Sequence, residues 1–257
     1  MLVSIITITK NNATGLQQTL DSVASQSGFT DFECVVIDGV SDDNTPEVIS
    51  VFRSKLPLTY ISEPDKGVYD AQNKGIRNAS GDYCLFLNAG DVFASDDVLA
   101  RMFEAKPTDD IVYGNEIVVD INGKVEGVAR GVGNPSGLDI YKSCMKHQAT
   151  FIRRSLFDKY GMYDSDLRIV ADFEWFMRVL MFHDDVTLRY VDVDVSRFNN
   201  DGISYHHPEL CATERQQVLD RYLSRRQQCD YELLAKLEKL RGVIKYGFLT
   251  RLLAKLF

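Results

Sequence analysis

Short apolar runs recur through the first third of the chain, each followed by polar punctuation and then by a segment with helical spacing. Val3 to Thr9, VSIITIT, is rich in β-branched residues and fits a buried parallel strand. After it, Leu16, Leu20 and Val23 fall on one face of a helix over Gly15 to Gln26. Phe32 to Ile37 reads as a second buried strand, and Thr45 and Pro46 open a helix in which proline suits the first turn. Leu58 to Ile61 is a short third strand, Val68 to Arg77 a helix, and Tyr83 to Leu87 a fourth strand. This alternation predicts an α/β fold: a mainly parallel sheet of Rossmann-like type flanked by helices on both faces.

Beyond this point the pattern changes. Ile111 to Asp120 and Lys124 to Val128, joined at Asn122-Gly123, read as a hairpin that adds antiparallel strands at one edge. Arg130 to Lys142, with its glycines and proline, reads as a mobile loop. A strand over Lys146 to Ile152 follows, then a helix from Ser155 to Tyr160 stopped by Gly161. Asp172 to Phe182 is a helix, Val186 to Val195 a strand and Asn199 to Ser204 a loop. Pro208 to Leu240 has the pattern of one long polar helix packing on the domain. The spacing divides the chain into a body over 1–205 and a helical extension over 206–257.

The last stretch, Arg241 to Phe257, carries Arg241, Lys245, Arg251 and Lys255 but no acidic residue, beside Ile244, Phe248, Leu249, Leu252, Leu253 and Leu256. That is the composition of a helix lying on an anionic membrane surface. The alternative is a helix docked on the core or on a second subunit. A net charge of -8 argues against a nucleic-acid partner. Any anionic ligand then needs local help from a metal or from backbone N–H groups. Cys34, Cys84, Cys144, Cys211 and Cys229 are widely spaced with no Cys-x-x-Cys pair, as in a reduced cytoplasmic protein. The amino terminus lacks a basic leader and no apolar run reaches the length of a membrane span. A cytoplasmic location, peripheral on the inner face of the membrane, is the expectation.

The chemistry concentrates where strands end. Tyr83 to Asp91, YCLFLNAGD, passes from an apolar run straight into Asn88, Ala89, Gly90 and Asp91, the small polar set that a site at the carboxyl edge of a sheet requires. The same four residues also suit a plain turn before a helix, with Asp91 or Ser95 as cap. Asp38 ends the second strand and Asp65 follows the third. Gathered in one cleft, these carboxylates repel unless a cation neutralises them, and hard oxygen ligands suit Mg²⁺ or Mn²⁺ shared with substrate phosphates.

The strings VSIITITKNN, VVIDGVSDDNT, SEPDKGVYDAQNKGI, YCLFLNAGD, HQATFIRRSLF, GMYDSDLRIVADFEWFMR and DGIS, in order over about four fifths of the chain, resemble the family-2 glycosyltransferases of GT-A fold, in particular the bacterial branch that builds surface polysaccharides. The resemblance implies a nucleotide-sugar donor met by Thr7, Thr9 and Asp38, with Asp65, Lys66, Asp70 and Asn73 in the donor-binding stretch. Asn88 to Asp91 fall at the family's DXD signature. Its first acidic position is neutral here, so Asp91 alone is the carboxylate ligand of Mn²⁺ or Mg²⁺. Asp172 matches the general base of the Glu-Asp motif, with Ala171 in place of the glutamate; a carboxylate opening a helix suits proton abstraction and also suits simple capping.

His147 and Gln148 match a pair near the donor diphosphate or acceptor, and a structural histidine is the other reading. Trp175 could shape the acceptor site or belong to the core. His206 and His207 follow the DGIS loop, where some relatives place a metal-binding histidine. Arg153 and Arg154 could clamp phosphate, though neighbours on a strand point to opposite faces. The implied reaction is inverting sugar transfer, from a UDP-sugar to a hydroxyl of a lipid-linked or oligosaccharide acceptor; the oligomeric state is left open. A sugar nucleotidylyltransferase would need a glycine- and arginine-rich loop where Thr9 to Gly15, TKNNATG, stands. A non-catalytic nucleotide-sugar-binding module would keep the cleft without the turnover.

Overall fold

A computed structural model describes residues 1–120, 122–143, 145–199 and 202–253, the side chains of residues 203 and 242–253 excepted. The chain opens with β1 (Val3–Thr9), α1 (Ala13–Ala24), β2 (Phe32–Asp38), α2 (Thr45–Phe52), β3 (Leu58–Ser62), α3 (Val68–Asn78) and β4 (Tyr83–Phe86). β1 pairs in parallel with β2 on one side, Thr9 opposite Asp38, and with β4 on the other, Ile6 opposite Phe86. β3 extends the parallel set outside β2, with Ser62 opposite Asp38. All four strands therefore deliver their carboxyl ends to one edge, where ligands of open α/β sheets collect.

The largely apolar character of β1, β2 and β4 has a direct cause: both faces are covered. Val3 and Ile5 of β1 join Leu16, Leu20, Val36 and Leu85 in one core, whereas Ile6 joins Val35, Ile37, Phe86 and Trp175 in the other. Successive side chains alternate between the faces, so both sets are mostly apolar, and the buried Ser4 hydroxyl donates to Glu33 (2.6 Å). On the second face α3 lies close against β1: a Cβ on Gly75 would stand 2.3 Å from Ile6 Cγ2, a spacing that only glycine permits.

The remaining elements are β5 (Val92–Phe93), α4 (Val98–Phe103), β6 (Ile111–Val119), β7 (Val125–Ala129), α5 (Gly137–Tyr141), a 3-10 turn at His147–Ala149, β8 (Thr150–Arg153), α6 (Ser155–Tyr160), α7 (Ala171–Leu180), β9 (Leu188–Asn199), α8 (Ile203–His206), α9 (Pro208–Tyr222) and α10 (Arg225–Leu253). They complete one nine-stranded sheet in the order β3-β2-β1-β4-β8-β6-β9-β5, with β7 paired to β6. β8 runs antiparallel to both β4 and β6, β6 runs parallel to β9, and β5 runs antiparallel to β9.

Several expectations change; the strand expected over Lys146 to Ile152 is a 3-10 turn at His147–Ala149 that leads into β8 at Thr150. The β6–β7 hairpin forms, but β6 lies inside the sheet between β8 and β9 and not at an edge. Ile111, Val112 and Tyr113 are buried and need neighbours on both sides. The segment from Arg130 to Lys142 is not all loop: Ser136 and Asp139 cap each other reciprocally and start α5, whose Tyr141 stacks on Tyr231 of α10 with ring centroids 5.0 Å apart. The long polar helix is two helices. Leu223 is extended and only 4% exposed, drawn into the core, and Ser224 with Gln227 restarts the helix.

α9 is bound into the body by more than apolar contact. The buried Glu214 carboxylate accepts the backbone N–H groups of Arg168 (2.8 Å) and Ile169 (2.9 Å), just before α7. Val218 and Leu219 fill the core beside it. Cys34, Cys84, Cys211 and Cys229 are free thiols, as expected, and Cys144 lies outside the described residues. Among the described residues no helix is long and apolar enough to cross a membrane. The amphipathic side chains expected beyond Arg241, and Asp201 of the DGIS string, lie outside the described residues.

Because Glu214 satisfies two backbone donors with a charged acceptor, Glu214→Ala is expected to cost about 2–3 kcal/mol of unfolding free energy. Urea denaturation would show the midpoint falling with an unchanged slope. The segment leading into α7 should then exchange its amide hydrogens faster.

Candidate functional site

Above the carboxyl edge of β4 lies an open cavity of about 630 Å³, whose lining includes Asn88, Asp91, Glu116, His147, Gln148 and Asp172. The loop carrying Asp91 is pinned by α1. Thr19 Oγ1 donates to the carbonyl of Asp91 (2.8 Å) and accepts the N–H of Gly90 (2.9 Å), and the Asn12 amide donates to the carbonyl of Ala89 (3.0 Å). Gly90 has φ +108°, a left-handed geometry that glycine adopts without strain, and it turns the chain so that Asp91 can open β5.

Asp91 is 7% exposed. Burial pushes its carboxyl up to about 7; His147 opposes this and Glu116 adds to it. Glu116, from β6, is 3% exposed, and its Oε1 has no hydrogen-bond partner among the described residues. Burial raises its pKa as well, against the pull of Lys146 and His147. No motif in the sequence singles out Glu116, although it is the one charged residue within Ile111 to Val119.

Asp172 stands in the first turn of α7 and faces the same cavity. Its Oδ1 accepts the backbone N–H of Phe173 (2.8 Å) and the hydroxyl of Tyr69 (2.9 Å); Oδ2 lies 2.8 Å from His147 Nδ1. Burial acts to raise its pKa, but the bonds from His147, Phe173 and Tyr69 outweigh it and hold the carboxyl below the usual range. His147 shifts the opposite way: burial lowers its pKa, and Asp172, Asp91 and Glu116 together raise it above the ordinary value. Asp172 and Asp91 are thus two carboxylates in one cavity pushed apart by their surroundings.

The other expected residues divide into two groups. Thr9, Asp38 and Asp65 gather at the ends of β1 to β3. Asp38 is 1% exposed and accepts from Ser41 N–H (3.0 Å), Ser41 Oγ (2.5 Å), Tyr60 Oη (2.8 Å) and Ser62 Oγ (2.7 Å). The expected three-aspartate cluster around a cation is therefore corrected: hydroxyl and amide donors already satisfy Asp38. Val40 in the following loop has φ +61°, an uncommon geometry for a β-branched residue. Asp65 caps the Gly67 N–H (2.9 Å) and lies against Gly39, where a Cβ would come within 2.4 Å of Asp65 Oδ2. Thr7 is buried, and the buried Thr9 hydroxyl has no partner among the described residues. Lys66 is exposed, and Asp70 accepts its backbone N–H (3.0 Å) while facing Lys74 (3.5 Å).

Several positions serve the fold. Asn73 bonds both backbone groups of Tyr163, at 2.9 and 3.0 Å. Trp175 is fully buried, donates to the Gly161 carbonyl (2.8 Å) and packs on Phe157, so the acceptor contact expected of it gives way to its core role. Arg153 donates to the Thr108 carbonyl and Arg154 to that of Gly81, which removes the expected phosphate clamp. Arg168 and Arg215 reach the cavity instead, Arg215 lying 4.1 Å over the Phe173 ring. His206, at the end of α8, and His207, at the N-cap of α9, are exposed and do not line the cavity.

Among the described residues no group of three or more His, Cys, Asp or Glu is placed to hold a metal ion. Asp91 still fits a single-carboxylate role. It is a buried acid with little positive compensation in an open cavity, and Mg²⁺ or Mn²⁺ takes its other ligands from phosphates and water. Without a cation, Asp91 binds its proton more tightly folded than unfolded. Its stabilising contribution is complete below pH 4 and is lost as pH rises towards about 7. Asp91→Asn is therefore expected to raise the thermal midpoint at pH 8 in chelator and to leave it nearly unchanged at pH 4, by differential scanning fluorimetry.

Residues 4–182 match the profile of Glycosyl transferase family 2. Among relatives, a PGL/p-HBAD biosynthesis glycosyltransferase of Mycobacterium tuberculosis is 37% identical over 207 residues, 77% of each chain. The glycosyltransferase YwdF of Bacillus subtilis is 24% identical over 186 residues, 69% of this chain and 68% of its own. Among solved structures, S. aureus TarS 1-349 in complex with UDP-GlcNAc superposes with a TM-score of 0.60 at 20% identity, covering 79% of this chain and 59% of that one. The mannosyltransferase PcManGT from Pyrobaculum calidifontis, in complex with GDP-Man and Mn²⁺, gives 0.61 at 20% identity over 85% and 63%. The structural likeness extends to the sheet and its flanking helices, the GT-A arrangement, and the sequence match runs from β1 through the Asp91 loop and the Asp172 helix: the chain belongs to glycosyl transferase family 2 and is a glycosyltransferase.

Proposed function

We propose that this enzyme moves a sugar, with inversion, from a nucleotide-diphosphate donor of the UDP-sugar type to a hydroxyl of a lipid-linked glycan in cell-surface polysaccharide synthesis. The observation that carries the reading is the meeting of Asp91 with the Asp172–His147 pair in one open cavity at the carboxyl edge of the parallel strands. One acid suits the side of the cavity where charge leaves and the pair suits the side where a proton must be taken. The named complexes of TarS with UDP-GlcNAc and of PcManGT with GDP-Man favour the nucleotide-sugar class.

In this reading Thr7, Thr9, Asp38 and Asp65 receive the nucleoside, with Lys66 beside them. Asn88 and Asp91 face the diphosphate. Asp91 holds Mn²⁺ or Mg²⁺, which when bound supplies charge stabilisation to the departing phosphate. The acceptor oxygen attacks the anomeric carbon, the bond from that carbon to the phosphate oxygen breaks, and its electron pair leaves with the nucleoside diphosphate. The hydroxyl proton passes to the Asp172–His147 pair, while Gln148, Arg168 and Arg215 orient the two substrates. Holding the reactants in line accounts for much of the acceleration, because it removes their relative freedom before the chemical step.

Peripheral contact with an anionic membrane fits an acceptor on a lipid. Leu233, Leu234, Leu237 and Leu240 are exposed on α10 immediately before the basic, apolar tail. They continue its character on the described part of the helix.

Two measurements test the reading. A thermal-shift panel of nucleoside diphosphates is expected to give a rise with UDP that requires Mn²⁺ and is lost in Asp91→Ala, since a ligand of the native state stabilises it by mass action. Absence of a shift with every nucleotide would contradict the donor site. Truncation before Arg241 is expected to remove co-sedimentation with phosphatidylglycerol vesicles, and full retention would exclude the tail as the anchor.

A further inference from the structure

The Asp172–His147 pair contains two groups able to take a proton, and their surroundings differ. Asp172 Oδ1 is occupied twice, by Phe173 N–H and by the Tyr69 hydroxyl, and Oδ2 faces His147 Nδ1 at 2.8 Å. The single proton of the Tyr69 hydroxyl is shared with the Ile169 carbonyl, 2.7 Å away. The imidazole is the reverse: Nδ1 is engaged and Nε2 is not held by any acceptor among the described contacts.

The nearest polar neighbour of Nε2 is the Asn88 amide nitrogen, at 3.4 Å. That amide also meets the side-chain amide of Gln72, at 3.2 Å. The Asp172 carboxylate can only accept from Nδ1, which selects the neutral tautomer with the proton on Nδ1 and the lone pair on Nε2. The Asn88 contact is long enough to be replaced by a substrate hydroxyl at little cost.

We propose that His147, through Nε2, takes the proton of the acceptor hydroxyl, and that Asp172 is a positioning residue that fixes its tautomer and stabilises the imidazolium. This rests on the glycosyl-transfer reading above and specifies the atom that performs its proton step. The proton moves from the acceptor oxygen to Nε2 as that oxygen bonds to the anomeric carbon, and the electron pair of the broken bond leaves on the diphosphate. The imidazolium formed faces Asp172 of α7, with Asp91 from the β4 loop and Glu116 of β6 also acting on it; Lys146, Arg168 and Arg215 are the cations lining the same cavity. The carboxylates favour the charged ring, as a base that must hold a proton transiently requires.

Nitrogen-15 imidazole spectra of the full chain give a test that does not depend on turnover. The chain has only four histidines, and His147→Gln identifies the signal. The expected result is the Nδ1–H tautomer at high pH, with that preference lost in Asp172→Asn. An Nε2–H tautomer in the wild type overturns the assignment. In transfer assays His147→Gln is expected to lower kcat about 10³-fold with donor KM within about two-fold. Asp172→Asn should lower it less and move the ascending limb of the pH profile to lower pH, because it removes the neighbour that most raises the His147 pKa. Imidazole should restore part of the rate to His147→Gly. A His147→Gln enzyme within a few-fold of wild type, or an Asp172→Asn enzyme more damaged with its pH limb unmoved, would overturn the proposal. Failure of the transferase reading would appear separately, as a wild type that turns over no nucleotide sugar with any acceptor while its spectra still report the tautomer.

Discussion

The pairing of β1 between two parallel partners is the constraint from which the rest follows. With β2 on one side and β4 on the other, β1 has no free edge, and its residues are mainly apolar towards both layers of helices. Parallel strands cannot be joined by tight turns, so each crossover carries a helix and each strand releases its loop at the same edge. Thr9, Asp38 and the Asn88–Asp91 turn are brought together by this alone. The close seat of α3 on β1 at Gly75 has a further effect: Tyr69, from the first turn of that helix, reaches the carboxylate of Asp172.

The antiparallel half of the sheet completes the cavity. β8 takes its place beside β4 and carries the His147 turn at its entrance; β6 follows and presents Glu116. Three carboxylates and one imidazole then share a partly buried volume, and their proton affinities separate. Asp172 has three donors and stays ionised, while Asp91 and Glu116 are desolvated with less compensation and are pushed upward. Such divergence suits a site that must accept a proton in one place and meet a charged phosphate in another.

The helices after β9 are part of this arrangement. Glu214 of α9 holds the two backbone amides that precede α7, and Arg215 next to it lies on Phe173 at the cavity wall. A helix that reads as a polar surface element thereby fixes the approach to Asp172. Its charged residues face inward at only a few points, too sparse to disturb a polar pattern along the sequence.

The sequence by itself determined the parallel strands, the helices between them, the Asp91 turn and the Asp172 helix, because local periodicity and strand-end chemistry depend on residues close together in the chain. The likeness of its motifs to family-2 glycosyltransferases carried the class of enzyme. It could not tell that Ile111 to Val119 runs inside the sheet, that Glu116 faces the cavity, or that Trp175, Arg153 and Arg154 serve the fold and not the ligands. Nor could it tell that Tyr69 and His147 both bond to Asp172. Those are relations across 25 to 103 positions, and no periodicity encodes them. Only the packing of α3, α7 and the turn before β8 around one cavity decided which polar groups were left to water and which to each other.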